Sequence, residues 1–261
     1  MIVTIDGPAG AGKSSVARAL AQRLGFGYLD TGAMYRAVAL AGLREGVDWG
    51  RPEQLAGLAR QVKLEVVGPS ILLDGEDVTE AVRASEVTAV TRFAADNLGV
   101  RDRLVGLQRA VAARCDLVTE GRDQGTVAFP LAECKIFLTA SPDQRARRRQ
   151  ADLEAQGEPV VLQQVLSDIN RRDQEDVSRP VGPLRHAADA IEVVTDGLTI
   201  AQVVDRLVAI VARCRSEPRA APCGDSPDTM EKAALQNPRP ATKMGQGSTD
   251  QVRSRERNHA E

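Results

Sequence analysis

Histidine is nearly missing from this sequence. His186 and His259 are the only two in 261 residues, so imidazole-based proton transfer has little to work with. Cysteine is sparse and unpatterned: Cys115, Cys134, Cys214 and Cys223 form no C-x-x-C pair and fit no disulfide framework, which favours buried or incidental thiols in a reducing compartment. No apolar stretch approaches the length of a membrane span, and the first motif begins too near Met1 to leave room for a signal peptide. The formal charge of -2 is close to balance and gives no sign of a nucleic-acid partner. A cytoplasmic monomer, engaging neither membrane nor nucleic acid, is the expectation. Lysine is scarce as well: Lys13, Lys63 and Lys135 are the only ones before residue 216, and arginine carries the rest of the positive charge there. Residues 216–261 lack any aromatic residue and scatter prolines among polar residues. Such a composition buries too little apolar surface to offset ordering entropy, so a disordered tail is expected after a domain spanning 1–215.

What the chain does contain begins at once. After the β-branched run "MIVTI" comes "GPAGAGKSS", in which Gly7, four residues, and then Gly12, Lys13 and Ser14 have the spacing of a P-loop. Gly7, Pro8, Ala9, Gly10, Ala11, Gly12, Lys13, Ser14 and Ser15 are expected to form the wall of an ATP phosphate site, every one but Pro8 carrying a backbone N–H that can turn to a phosphate. Lys13 would reach the β- and γ-phosphates, Ser14 would offer its hydroxyl to Mg²⁺, and the following helix would add the partial positive charge of its N-terminus. "VARALAQRL" places Val16, Leu20 and Leu24 on one helical face, with Gly25 as the stop.

Further along, strand and helix alternate. Strands are expected at 2–5, near Tyr28, and at 117–119, 135–139 and 190–194; Ser141-Pro142-Asp143-Gln144 and Thr199-Ile200-Ala201-Gln202 read as helix N-caps with Gln at the third helical position. This alternation predicts an α/β fold, a parallel sheet with helices on both faces. One segment, 63–79, breaks the rhythm with two β-like runs about Gly68-Pro69 and a second turn at Asp74-Gly75, the pattern of a small antiparallel insert. It fits either a hairpin packed on the core or a flap over a second substrate. Ligands of such sheets bind beyond the carboxyl ends of the strands. "LDTGAMYRA" and "TEGRDQGT" then put Asp30, Thr31, Tyr35, Arg36, Arg122 and Asp123 on the rim that carries the P-loop.

Taken together, "GPAGAGKSS", "LDTGAMYR", "DGEDV", "EGRDQGTVAFP" and "RRDQEDVSRPVGPLRHAADA" resemble the bacterial cytidylate kinases from residue 1 to about 214. The resemblance implies the P-loop NTPase three-layer fold, with a five-stranded parallel core, a lid at about 148–180, and the β insert serving the monophosphate region. It implies transfer from ATP to CMP or dCMP. It assigns Arg36 and Arg122 to the CMP phosphate, Arg172 and Arg148 to the group in transit, Arg101, Asp123 and Arg179 to the base, and Thr31, Tyr35 and Asp176 to the phosphate or sugar. Arg92 stands where a small hydroxyl residue is usual in that family. A phosphate acceptor suits the scarcity of histidine, since its attacking oxygen has no proton to lose. Another nucleoside monophosphate, or a small hydroxyl substrate oriented by Asp123, are the alternative acceptors. A regulatory GTPase is disfavoured because "NRRD" at 170–173 is not N-K-x-D, and a complete P-loop argues against a non-catalytic nucleotide-binding module.

Overall fold

The computed structural model describes residues 1–155, 157 and 159–216. Most of the expected tail therefore lies outside the described residues. Five strands make the central sheet: β1 (Ile2–Asp6), β2 (Gly27–Asp30), β6 (Leu117–Gly121), β7 (Cys134–Thr139) and β8 (Ile191–Val194). Their spatial order is β2-β6-β1-β7-β8, and every pairing is parallel. Each expected strand is present. β1 and β6 run further than the apolar pattern suggested, because the ladder continues to the pair Asp6 and Gly121. That extension brings polar ends of both strands to one rim.

Period-two alternation sends neighbouring side chains to opposite faces of the sheet. On β6, Leu117 joins the apolar cluster of α2 (Thr31–Arg44), α4 (Ser85–Ala95) and α5 (Leu98–Ala112), while Val118 joins that of α1 (Lys13–Leu24) and α8 (Ile200–Ser216). The sheet is thus covered on both sides. Helix ends follow the sequence signals. Gly25 ends α1, and at the start of α8 the Thr199 hydroxyl and the Gln202 side chain each accept a backbone N–H of the other residue, at 3.3 and 2.9 Å. α8 runs to Ser216, one residue into the stretch read as tail.

The insert is antiparallel, as expected: β3 (Leu64–Val67), β4 (Ser70–Leu73) and the two-residue β5 (Glu76–Asp77). Two-residue turns at Gly68-Pro69 and Asp74-Gly75 join them, pairs that suit the twist of a hairpin. Leu64, Ile71 and Leu73 pack into the same core cluster as α2 and α3 (Pro52–Gln61). On the other side of the P-loop, α6 (Pro142–Ala155) and α7 (Leu162–Ser178) pack together through Ala146, Val165 and Ile169. Among the described residues no helix is long and apolar enough to cross a membrane.

Candidate active site

A cleft of about 730 Å³ lies along the carboxyl ends of β1, β2 and β6. One end is formed by the P-loop between β1 and α1. Residues Ala9 to Ser15 line it, whereas Gly7 and Pro8 do not. Those two have other tasks. Gly7 lies so close to β7 that any Cβ would collide with the Leu138 carbonyl, and the Pro8 carbonyl accepts the Lys13 ammonium at 2.7 Å.

Lys13 is the first residue of α1 and only 6 % exposed. Burial, then the Arg122 charge, push its ammonium down to about 7, with Glu120 pulling the other way. Phosphates arriving beside it would restore the ordinary charge. Nucleotide binding at pH 8 should therefore take up as much as about one proton per site, and far less at pH 6, where Lys13 already holds it. Calorimetry in buffers of different ionisation enthalpy measures this uptake. A titration at pH 8 that does not depend on the buffer would contradict it.

Ser14 donates its hydroxyl to Glu120 Oε1 at 2.6 Å. Glu120 was not singled out in the sequence, although it is the last side chain of β6, followed by Gly121 at the strand's end and then by Arg122-Asp123. Burial and the Asp30 charge raise its carboxyl above the usual range, against the pull of Lys13. Asp6, at the end of β1, accepts the backbone N–H groups of Gln124 and Gly125 at 2.8 and 2.7 Å, and burial lifts its carboxyl to about 6. One carboxylate thereby staples the start of the P-loop to the turn that carries Arg122 and Asp123.

The other end of the cleft is built from α2, β6, α5 and α7. Asp30 caps α2 by accepting Ala33 N–H at 2.8 Å and faces Arg36 at 3.4 Å. The Arg36 Nε is buried without a partner among the described residues, a cost that an anionic ligand would remove. Thr31 donates its hydroxyl to the Glu120 carbonyl at 2.7 Å. Arg122 donates to Asp176 at 2.6 Å, and the other oxygen of Asp176 accepts from Arg179 at 2.6 Å. Burial resists the Asp176 charge, but Arg122 and Arg179 outweigh it and hold the carboxyl below its usual range.

Arg101 and Asp123 form a buried ion pair, and the Arg101 guanidinium lies 5.6 Å from the centre of the Tyr35 ring. Burial raises the Asp123 carboxyl even against the opposing pull of Arg101. The backbone of Gly182, at φ 57°, comes against this pair, so that a Cβ there would collide with both side chains. No local signal in the sequence around Gly182 announces this close approach.

All the residues assigned from the resemblance to transfer or to the acceptor line the cleft: Thr31, Tyr35, Arg36, Arg101, Arg122, Asp123, Arg148, Arg172, Asp176 and Arg179. Arg148 arrives in a particular way, donating to the Thr195 hydroxyl at 2.9 Å and to the Thr195 carbonyl at 2.8 Å. Arg172 sits in a crowd of like charges. Although its side chain reaches the surface, desolvation within the cleft, then Arg122, lower it to about 10, with Arg36 and Arg149 adding to the repulsion. Arg149 and Asp152 of α6 line the cleft without having been expected there.

Arg92 is corrected. It is exposed, 4.7 Å over the Phe93 ring, while its neighbour Thr91 lines the cleft together with Ala95 one turn on. Helix phase explains the difference: residues 91 and 95 share a face of α4 that 92 leaves. The Thr91 hydroxyl meanwhile donates to the Val87 carbonyl at 2.7 Å.

Comparison with known proteins agrees with this geometry. The family model of cytidylate kinase matches residues 3–213. A cytidylate kinase of Rhodopirellula baltica is 49% identical over 214 residues, covering 82% of this chain and 93% of the relative. One of Pelotomaculum thermopropionicum is 49% identical over 220 residues, covering 82% and 97%. A third, from Desulfitobacterium hafniense, is 46% identical over 211 residues, covering 80% and 91%.

Proposed function

Because this chain belongs to the cytidylate kinase family, we infer that it transfers the γ-phosphoryl group of ATP to CMP or dCMP, giving CDP or dCDP. The observation that carries the reading is the junction of a P-loop with a cluster of arginines in one cleft. Two phosphates meeting there need alignment and charge neutralisation rather than a base. Backbone N–H groups from Gly10 to Ser15 and the Lys13 ammonium hold the ATP phosphates, the Ala9 N–H being taken by Asp173. Arg36 and Arg122 hold the phosphate of CMP, with Asp176 fixing the Arg122 fork through its hydrogen bond. Arg101, Asp123 and Arg179 read the base, and Thr31, Tyr35 and Asp176 border the sugar and phosphate.

Ser14 and Glu120 offer only oxygen donors beside the P-loop, which fits Mg²⁺, an ion that needs just one or two protein ligands when phosphates supply others. When bound there it neutralises charge on the ATP phosphates. Arg172 stabilises the group in transit. Arg148, held by its bonds to Thr195, lines the donor end beside it. α6 and α7 act as the lid that excludes water during transfer.

ADP release measured across CMP, dCMP, UMP, AMP, GMP and shikimate tests this reading. CMP and dCMP are expected to give the highest efficiencies. Preference for shikimate, or for a purine nucleotide, would transfer the site to a different acceptor.

A further inference from the structure

α7 supplies Arg172 and Asp176 to the cleft. Between them stands Asp173, which does not line it and for which the transfer reading has no use. Its carboxylate turns to the P-loop. Oδ1 accepts the Ala9 N–H at 3.2 Å, and Oδ2 pairs with Arg145 of α6. Arg145 is itself buried and donates from Nη1 to the Ala9 carbonyl at 3.1 Å and from Nε to the Ala140 carbonyl at 2.9 Å. One carboxylate and one guanidinium therefore hold both backbone polar groups of Ala9. The helix that carries Arg145 is in close contact with the same loop, since a Cβ on Gly10 would stand 3.2 Å from the Arg145 Cβ.

These bonds answer an electrostatic difficulty. Arg172 lies among Arg122, Arg36 and Arg149, and it also opposes the charge of Lys13. Without phosphates to neutralise them, these cations repel one another and press α7 away from the P-loop. Charge-assisted hydrogen bonds immediately beside Arg172 counter that pressure where it arises. Asp173 is the adjacent residue, and its anchor is the P-loop itself.

We propose that Asp173 and Arg145 are positioning residues, a clasp that seats α7 on the P-loop and thereby aims Arg172 at the phosphoryl group being transferred. This rests on the reading that Arg172 acts on that group. Neither clasp residue needs to touch a nucleotide.

The test is a double-mutant cycle of Asp173→Asn with Arg172→Ala in the full chain, with kcat at saturating ATP and CMP and the ATP dissociation constant both measured. Asp173→Asn keeps the shape and an acceptor for Ala9 N–H but removes the charge facing Arg145. It should lower kcat by about tenfold or more while shifting ATP affinity less than about threefold, a split that general loosening of the fold would not produce. In the Arg172→Ala background the same change should alter kcat by less than about twofold, because its effect runs through Arg172. Losses that multiply would overturn the clasp, as would wild-type kcat in Asp173→Asn when Arg172→Ala is slow. Wild-type kcat in Arg172→Ala would instead overturn the role of Arg172, and the proposal with it. If melting curves show Asp173→Asn unfolded, Arg145→Gln breaks the pair from its other side and carries the same expectations.

Discussion

Lys13→Ala is expected to slow phosphoryl transfer by about a hundred- to a thousandfold, the loss seen when one preorganised donor is taken from a transition state that develops charge. Fold and CMP binding should survive. The ammonium is buried, is opposed by Arg122 and Arg172, and among the described residues hydrogen-bonds only the Pro8 carbonyl, so the fold gives up little when it goes. The CMP phosphate contacts assigned to Arg36 and Arg122 lie outside the change. A coupled assay of ADP release gives kcat, and calorimetry gives CMP affinity in the same variant. Turnover within about tenfold of wild type, with normal Mg²⁺ dependence, would remove the P-loop lysine from the mechanism.

Base choice should depend as steeply on Asp123. Cytosine presents an N4 amino donor where uracil presents an O4 acceptor. A carboxylate can accept from the amino group but sets its own lone pairs against O4. Asp123→Ala should lower the CMP-over-UMP efficiency ratio by roughly tenfold or more, the factor that about 1.4 kcal/mol represents. Efficiency toward CMP should fall further still. The change strands Arg101 in a buried position, and breaking a buried ion pair from one side costs about 3–5 kcal/mol. Steady-state kinetics with both nucleotides separate the two effects, since phosphate, sugar and ATP contacts are shared. Equal losses for CMP and UMP would mean that Asp123 serves only to hold Arg101 in place.

Local signals in the sequence were read correctly. The P-loop spacing, the Thr199 and Gln202 cap, the turn pairs of the insert and the apolar strand cores are each encoded within a few residues, and each appears where expected. Long-range partnerships are another matter. Nothing near Ser14 announces that its hydroxyl meets Glu120, or that Ala9 N–H meets Asp173 across more than a hundred and sixty residues. Both acids sit inside motif blocks, but their charge reads equally well as a solvated surface until the fold brings the segments together. Arg92 and Thr91 show a subtler limit: adjacent residues on a helix point about 100° apart, and only packing decides which of them faces the cleft.

The two hydrogen bonds that Asp6 accepts from Gln124 and Gly125 also restrict motion. Sliding the P-loop relative to the Arg122-Asp123 turn would strip a carboxylate that is only 4 % exposed of both N–H partners at once, and leaving it unpaired there is costly. This rim is therefore a fixed frame rather than a hinge. Amide exchange at Gln124 and Gly125 should accordingly be among the slowest in the protein.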